Sequence, residues 1–590
     1  MKRLKSTLVF SIVLGLVLAY LLNHIIGTVE LAFRKETPSI GTLSMVETFR
    51  NHPLPYTSNM ATVGSLAGCA IAVCVFVTQD ASDKRRAVRG REHGTAKIGS
   101  VRDLKPFGDW KNPANNVILA KDTNLRLVGN AKSEVYEKNK NLLVQGGPGS
   151  GKTYYYVLPN LLQANSSYVV TDPKGNLVWS LGTFFLEQGY KVRVFNTVDF
   201  TNSLHYNPLA YIRSQTDILR LVTTIITNTT GTENVTGDPF WDKAEKLFLT
   251  ALIAYIWEIG SPSERNFDTL LKLIDLAEAS EGDQSFESDL DKLFRRWESK
   301  HPNSFAVTSY GVFKKGAGET MKSILISVGV RLQPFRLDEV REIMSYDELE
   351  LEDIGDEKTF LGLVMSDTDS TFGFLIAMVQ YQMLNLLIRK ADVDYGGKLP
   401  IPVQIFFDEF RNIGRLPNWP TAISTIRSRG ISATMVVQSL AQLKAVYGDD
   451  MDTLIDCSDT LISFGAARSQ STTGALSEFI GQETIETSSR SESKGKNGSV
   501  SYSEQATARS AMFADEIARM QTGKCLVLIN GQQAVIGDRY DTKNHPNYKK
   551  TVYGNNSKVY RAGDERQYEA DRFFDGFDDE AIEVFEFSFS

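Results

Sequence analysis

The stretch Val144-Gln-Gly-Gly-Pro-Gly-Ser-Gly-Lys-Thr153 constrains the fold of this 590-residue chain more than any other. An apolar run, Asn141-Leu-Leu-Val144, leads into Gly146-Gly147-Pro148-Gly149-Ser150-Gly151-Lys152-Thr153, which fills every fixed position of G-x-x-x-x-G-K-[ST]. Glycine at these positions lets the backbone turn its N–H groups onto phosphates without a Cβ in the way, and a following helix directs its positive end at the same place. The loop therefore requires a strand before it and a helix after it. It makes residues 146 to 153 candidates for binding a nucleoside triphosphate, with Lys152 on the β and γ phosphates and the Thr153 hydroxyl as a Mg²⁺ ligand.

The surrounding pattern agrees with an α/β fold. A strand over 141–145 is followed by a helix from Lys152 to Leu162, a strand in "SYVVTDPKG" (167–175), a helix in "LVWSLGTFFLEQG" and a strand at 190–196. This alternation predicts a parallel sheet with nucleotide at the carboxyl ends of its strands. From 216 to 345 helical periodicity takes over: Phe240, Ala244, Leu247, Phe248, Ala251, Leu252 and Tyr255 share one face, so an all-α insertion is expected. Strands resume at 359–365, 401–410, 431–439, 460–466 and 524–531, while the Ser-rich stretch 484–510 reads as a mobile loop or exposed hairpin.

One of these strands, Ile405-Phe406-Phe407, closes on Asp408 and Glu409. Two adjacent carboxylates at the end of a buried strand call for a cation or a reaction, beyond merely capping a turn. Asp408 is assigned to the Mg²⁺ shell and Glu409 to activating water, which points to ATP hydrolysis coupled to work. Gln438, ending "TMVVQS", is placed to sense the γ phosphate. Arg427, and less so Arg429, in "STIRSRGIS" are candidates for an arginine finger acting on a neighbouring copy, and Asp172 and Lys174 end a strand beside the phosphate loop.

Two N-terminal runs, 7–26 and 60–78, are apolar and close to the roughly 20 residues that span a bilayer. A cleaved leader is the alternative for the first run, but the run is long for that role and a second one follows it. Basic residues precede the first run and follow the second, which places both ends in the cytoplasm and a short loop outside. The net charge of −7 also has a local origin. From Gly563 onward ten acids face Arg566 and Arg572, so this stretch holds −8 and the rest about +1. The acidic balance thus leaves nucleic-acid contact open elsewhere. Four cysteines without framework or zinc spacing suit a reducing compartment.

"REHGTAKIG", "NLLVQGGPGSGKT", "VVTDPKGNLV", "YNPL", "DPFWDKAEKLFLTAL", "FFDEFRNIGRLP" and "TMVVQSLAQL", in this order, resemble the conjugative coupling proteins of type IV secretion, the TraG/TraD kind. The likeness runs from the first apolar run to about residue 550 and leaves out the acidic end. It implies a RecA-like P-loop ATPase using ATP and Mg²⁺, anchored in the cytoplasmic membrane by two spans with its ATPase domain in the cytoplasm. It also implies a working homo-hexamer that brings a relaxase bound to single-stranded DNA to the secretion channel. Lys152, Thr153, Asp408, Glu409, Gln438 and Arg427 fall on that family's nucleotide positions. No base-reading motif is visible, so DNA contact would be to backbone and sequence-nonspecific. The expected division is a membrane anchor at 1–80, the two parts of the ATPase domain at 81–215 and 346–555, the inserted all-α domain at 216–345, and an acidic Phe-rich tail at 556–590. A septal-type DNA translocase would carry more spans and a winged helix, and a scaffold that binds ATP without hydrolysis would not need Glu409.

Overall fold

The structure, a computed structural model, describes residues 92–565 apart from 130–132, 230–238, 281–285, 317, 370, 466–467, 493–499 and 555–556, together with 17, 19–26, 50, 67, 70 and 568. It divides into two units: 1–95 with 482–509, and 96–481 with 510–590. In the first, strands β10 (Gln482–Glu492) and β11 (Val500–Ser510) pair, and Thr95 bridges to Glu483. The Ser-rich stretch is thus largely a two-stranded ribbon. The expected spans over 7–26 and 60–78 lie mostly outside the described residues, and those described within them (17, 19–26, 67 and 70) are helical. Among the described residues no helix is long and apolar enough to cross a membrane.

The second unit is organised by a nine-stranded sheet in the order β13-β12-β9-β3-β8-β7-β4-β6-β5. The strands are β3 (Leu142–Gln145), β4 (Ser167–Pro173), β5 (Lys191–Asn196), β6 (Thr359–Met365), β7 (Val403–Phe407), β8 (Ile431–Val437), β9 (Thr460–Ser463), β12 (Lys524–Ile529) and β13 (Val535–Asp538). All neighbours from β9 to β5 are parallel, and β12 runs antiparallel to both β9 and β13. A parallel sheet is covered on both faces, so its strands are rich in apolar residues and successive side chains enter opposite cores. Leu143, Val169, Leu361, Ile405, Phe407 and Met435 enter one core. Leu142, Val144, Val170, Phe360, Phe406 and Val436 enter the other.

Between β5 and β6 the chain is helical: Gln215–Thr229, Pro239–Ile259, Phe267–Asp275, Asp289–Glu298, Phe305–Phe313, Gly318–Arg331 and Asp338–Ile343. Several starts are marked by side-chain caps, as where Asn266 and Ser304 accept from the third amide of their helices, and Ser288 with Asp291 forms a capping box. Glu245, fully buried, is held by Arg331 and Ser327, which together offset the cost of burying its charge. Phe248, Leu252 and Phe335 of this segment belong to the same core as one face of the sheet.

On the other face, helix Asn176–Glu187 carries Gly182 where a Cβ would lie 2.3 Å from the ring of Tyr560. Tyr560 is buried there, stacked on Trp179.

Both rims of the sheet are occupied by their own chain. Along β5 the Leu204 N–H donates to Val194 O at 2.8 Å, and Asn196 N–H to Ser203 Oγ at 2.9 Å. Along β13 the Gly99 N–H donates to Ala534 O at 2.8 Å, and Lys121 N–H to Asp538 O at 2.9 Å. Lys121 belongs to the turn joining β1 (Asn116–Ala120) and β2 (Thr123–Arg126).

Candidate functional site

Because β3, β8, β7 and β4 are parallel neighbours, the residues that follow them gather at one rim. The phosphate loop leaves β3 there, Gln438 leaves β8, Asp408 and Glu409 leave β7, and Asp172 ends β4. In the loop Gly149 and Gly151 have φ of 70° and 80°, a region other residues adopt only with strain. A Cβ on Gly151 would also come within 2.6 Å of the Tyr155 ring. After the loop the chain does not enter a regular α-helix directly, as the sequence led us to expect. Thr153–Val157 form a wider π-type turn, and Leu158–Leu161 continue as α-helix. Such turns are often found at functional sites.

Thr153 Oγ1 donates to Asp408 Oδ2 at 2.7 Å, and Gln438 Nε2 lies 3.2 and 3.1 Å from the two carboxylate oxygens of Glu409. Glu409 itself adopts φ 57°, a left-handed conformation that costs about 1–3 kcal/mol for a non-glycine residue. Lys152 Nζ donates to Gly146 O at 2.7 Å. The acids are desolvated. Burial pushes the Asp408 carboxyl up to about 6, opposed by the Thr153 hydroxyl and assisted by the Glu409 charge. Asp172 rises to about 7, again through burial, although the Val178 N–H donates to it at 2.8 Å. Burial lowers the Lys152 ammonium, against the pull of Glu409 and Asp408.

A cavity of about 560 Å³ opens over these groups, lined by Thr153, Asp172, Lys174, Asp408, Glu409 and Gln438. Arg411, Asn412 and Tyr553 also line it, and sequence reading had not singled them out. Lys174, at φ 86°, turns to pair with Asp367 at 2.8 Å. Arg427 is exposed in the short turn Ile426–Arg429 ahead of β8, at the opposite end of the sheet from the phosphate loop. Within its own chain it is not part of this cavity, and Arg429 is paired with Asp392 at 2.7 Å.

The residues present fit a Mg²⁺-bound nucleotide. Among the described residues the Ser150 hydroxyl, buried in the loop, has no hydrogen-bond partner, and Gly149 leaves the space beside it open. Thr153 and Asp408 offer a hydroxyl and a carboxylate at a shared point, the hard oxygen donors that magnesium takes.

Comparison with known proteins agrees with this geometry. The family described as "Type IV secretory system Conjugative DNA transfer" matches residues 95–552. The conjugal transfer protein TraG of Rhizobium radiobacter is 27% identical over 398 residues, 66% of this chain and 60% of TraG. The chain thus aligns with less than two thirds of that relative's length. Protein VirD4 of Rhizobium rhizogenes is 25% identical over 546 residues, 89% of this chain and 76% of VirD4. Among solved structures, the conjugative coupling protein TrwBdeltaN70 in its unbound form superimposes with a TM-score of 0.55 at 17% identity, covering 76% of this chain and 93% of that one. TrwB in complex with the ATP analogue ADPNP gives 0.55 at 16% identity, covering 77% and 96%. At these identities the structural likeness is one of fold.

Proposed function

The chain belongs to the type IV secretory system conjugative DNA transfer family, and from that premise we propose that it is a membrane-anchored ATPase that brings DNA-bound substrate to a secretion channel and drives its transfer by ATP hydrolysis. The observation that carries the reading is the pairing of Thr153 with Asp408 and of Gln438 with Glu409 over one cavity beside the phosphate loop. TrwB, which shares the fold, has been crystallised with ADPNP and with ADP and Mg²⁺.

In this reading the Gly149 and Gly151 N–H groups of the loop hold the phosphates and Lys152 turns from Gly146 O to the β and γ phosphates. Thr153 and Asp408 would hold Mg²⁺, which would supply charge neutralisation on the phosphates. Glu409, oriented by the Gln438 amide, accepts the proton of the attacking water. Arg427 would serve the site of a neighbouring copy in a homo-hexamer. The apolar runs at 7–26 and 60–78 would hold the ATPase domain at the cytoplasmic face of the membrane, with 216–345 as its all-α insertion. Single-stranded DNA would be gripped by its backbone, so affinity would fall with salt. A relaxase or accessory protein would supply substrate choice, docking on the acidic Phe-rich stretch that starts past Tyr560 at about Gly563.

The test is ATP turnover of the full chain in membranes, with and without single-stranded DNA. Lys152→Ala should weaken nucleotide binding, whereas Glu409→Gln should keep binding and stop turnover. Normal turnover by Glu409→Gln would refute the assignment of the base.

A further inference from the structure

Arg539 follows β13 in a stretch that carries no motif, yet its guanidinium joins three separate segments of main chain. Nη1 donates to Ser150 O in the phosphate loop at 2.8 Å, Nη2 to Phe464 O past β9 at 2.7 Å, and Nε to Lys524 O at the start of β12 at 3.0 Å. Its charge lies over the rings of Phe464 and Tyr155, at 5.1 and 5.5 Å from their centroids. Tyr155 in turn packs against Gly151. Among the described residues Arg539 forms no ion pair with a carboxylate, so this half-buried cation is committed to carbonyl oxygens.

The geometry of a trans peptide gives that commitment a consequence. In a planar trans unit the C=O and the next N–H point to opposite sides. Fixing the Ser150 carbonyl towards Arg539 therefore turns the Gly151 N–H away from it. Among the described residues that N–H has no backbone acceptor, and Gly151 holds φ 80° without strain. A cation on the carbonyl also polarises the same peptide and strengthens its N–H as a donor. The neighbouring peptide is held too, since Gly465 O, next to the second carbonyl that Arg539 binds, accepts from Gly147 N–H at 3.4 Å.

We propose that Arg539 is a positioning residue for the phosphate loop: by gripping the Ser150 carbonyl it aims the Gly151 N–H at the nucleotide's phosphates. The inference rests on the nucleotide reading above. It assigns Arg539 to the shared phosphates of ADP and ATP, and not to the γ phosphate or the attacking water.

The test is binding of ADP and of Mg²⁺-ADPNP by the full chain, with Arg539→Ala and Arg539→Lys beside the unchanged protein. Arg539→Ala should raise both dissociation constants by the same factor, roughly 10- to 100-fold, the effect of losing one charge-assisted contact. Turnover at saturating ATP should stay within about threefold, so that KM moves and kcat does not. Arg539→Lys, which keeps the charge without the fork, should recover only part of the affinity. Millimolar guanidinium should restore affinity to Arg539→Ala selectively. Equal affinity in Arg539→Ala, a loss confined to ADPNP, or a loss that guanidinium leaves unchanged while Arg539→Lys binds normally would each overturn the proposal. If the unchanged chain failed to bind either nucleotide, the nucleotide reading itself would fall. Binding by the unchanged chain with no effect of Arg539→Ala removes the Arg539 role alone.

Discussion

The two ends of the large sheet are built from similar residue types but use them differently. At the amino ends most polar groups find partners, although among the described residues the buried Thr460 hydroxyl at the start of β9 has none. Buried Asn141 donates to Ile423 O at 3.0 Å and accepts from Ala433 N–H at 3.0 Å, and Asn139 donates through its amide N–H to Asp459 at 2.7 Å. Gln404 donates to Ser166 Oγ at 2.8 Å, and Arg429 grips Asp392 with two bonds. At the carboxyl ends the same chain holds Glu409 and Lys174 in left-handed conformations, two acids with raised pKa, and a buried Ser150 hydroxyl without a partner. What sets the carboxyl ends apart is that left-handed backbone, desolvated acids and an unpartnered hydroxyl gather around one cavity, the arrangement expected where a ligand completes the site.

This contrast can be broken by substitution. The largest effect should come at the carboxyl end: Glu409→Gln lowers ATP turnover by about 10²- to 10⁴-fold while leaving the melting temperature nearly unchanged, measured by phosphate release and calorimetry. Arg427→Ala should then lower turnover by about 100-fold without altering nucleotide affinity, if the arginine acts on a neighbouring copy. Mixing it with Glu409→Gln chains should restore part of the activity, and no defect in a proven oligomer would return Arg427 to an ordinary exposed charge.

At the amino end the sign of the experiment reverses. Asn141→Ala should cost about 2–3 kcal/mol of stability, because it leaves buried backbone groups without partners, and should not change nucleotide affinity. Ser150→Ala, which removes a hydroxyl that is bonded to nothing, should cost less than about 0.5 kcal/mol.

A smaller, pH-dependent effect is expected at His545. It is buried against Gln163 at 3.1 Å and its Nδ1 accepts from Asn547 N–H, so the neutral ring is favoured and burial lowers its pKa to about 4. Its stabilisation is fully present above its unfolded pKa near 6.5 and is lost as pH falls through about 4. His545→Gln should remove up to about 2 kcal/mol of the acid sensitivity in that window, read from melts at stepped pH. Arg429→Ala should likewise have a small effect, about 1 kcal/mol or less for a partly exposed pair.

What the sequence disclosed follows from how local each signal is. The phosphate loop and the Asp408–Glu409 strand end are contiguous motifs, and the central strands are runs of apolar residues because both faces of a parallel sheet are covered. Those features could be read directly, as could the helical period after Asn207. The hairpin β1–β2 was not read, although apolar Val117–Ala120, the Lys121-Asp122 turn and alternating Thr123–Arg126 carry a short hairpin pattern. Strand β13 is four residues long beside a Gly-Gln-Gln turn, and Arg539 after it looks like any surface arginine. Its three carbonyl partners come from positions 15 to 389 residues away in sequence, a separation no local pattern reports. Arg427 shows the converse: its place just before β8 puts it at the amino end of that strand, opposite the phosphate loop of its own chain.

The closed rims of the sheet restrict how copies of this chain can assemble. The outer edge of β5 is bonded at Val194 and Asn196 by the 203–204 segment and that of β13 at Ala534 and Asp538 by Gly99 and Lys121, so at these positions the edges of the large sheet are already paired. Were copies of this chain to assemble as proposed, contacts at these edges would be made by side chains, which can slip and re-form, whereas a shared backbone ladder would lock the copies in register.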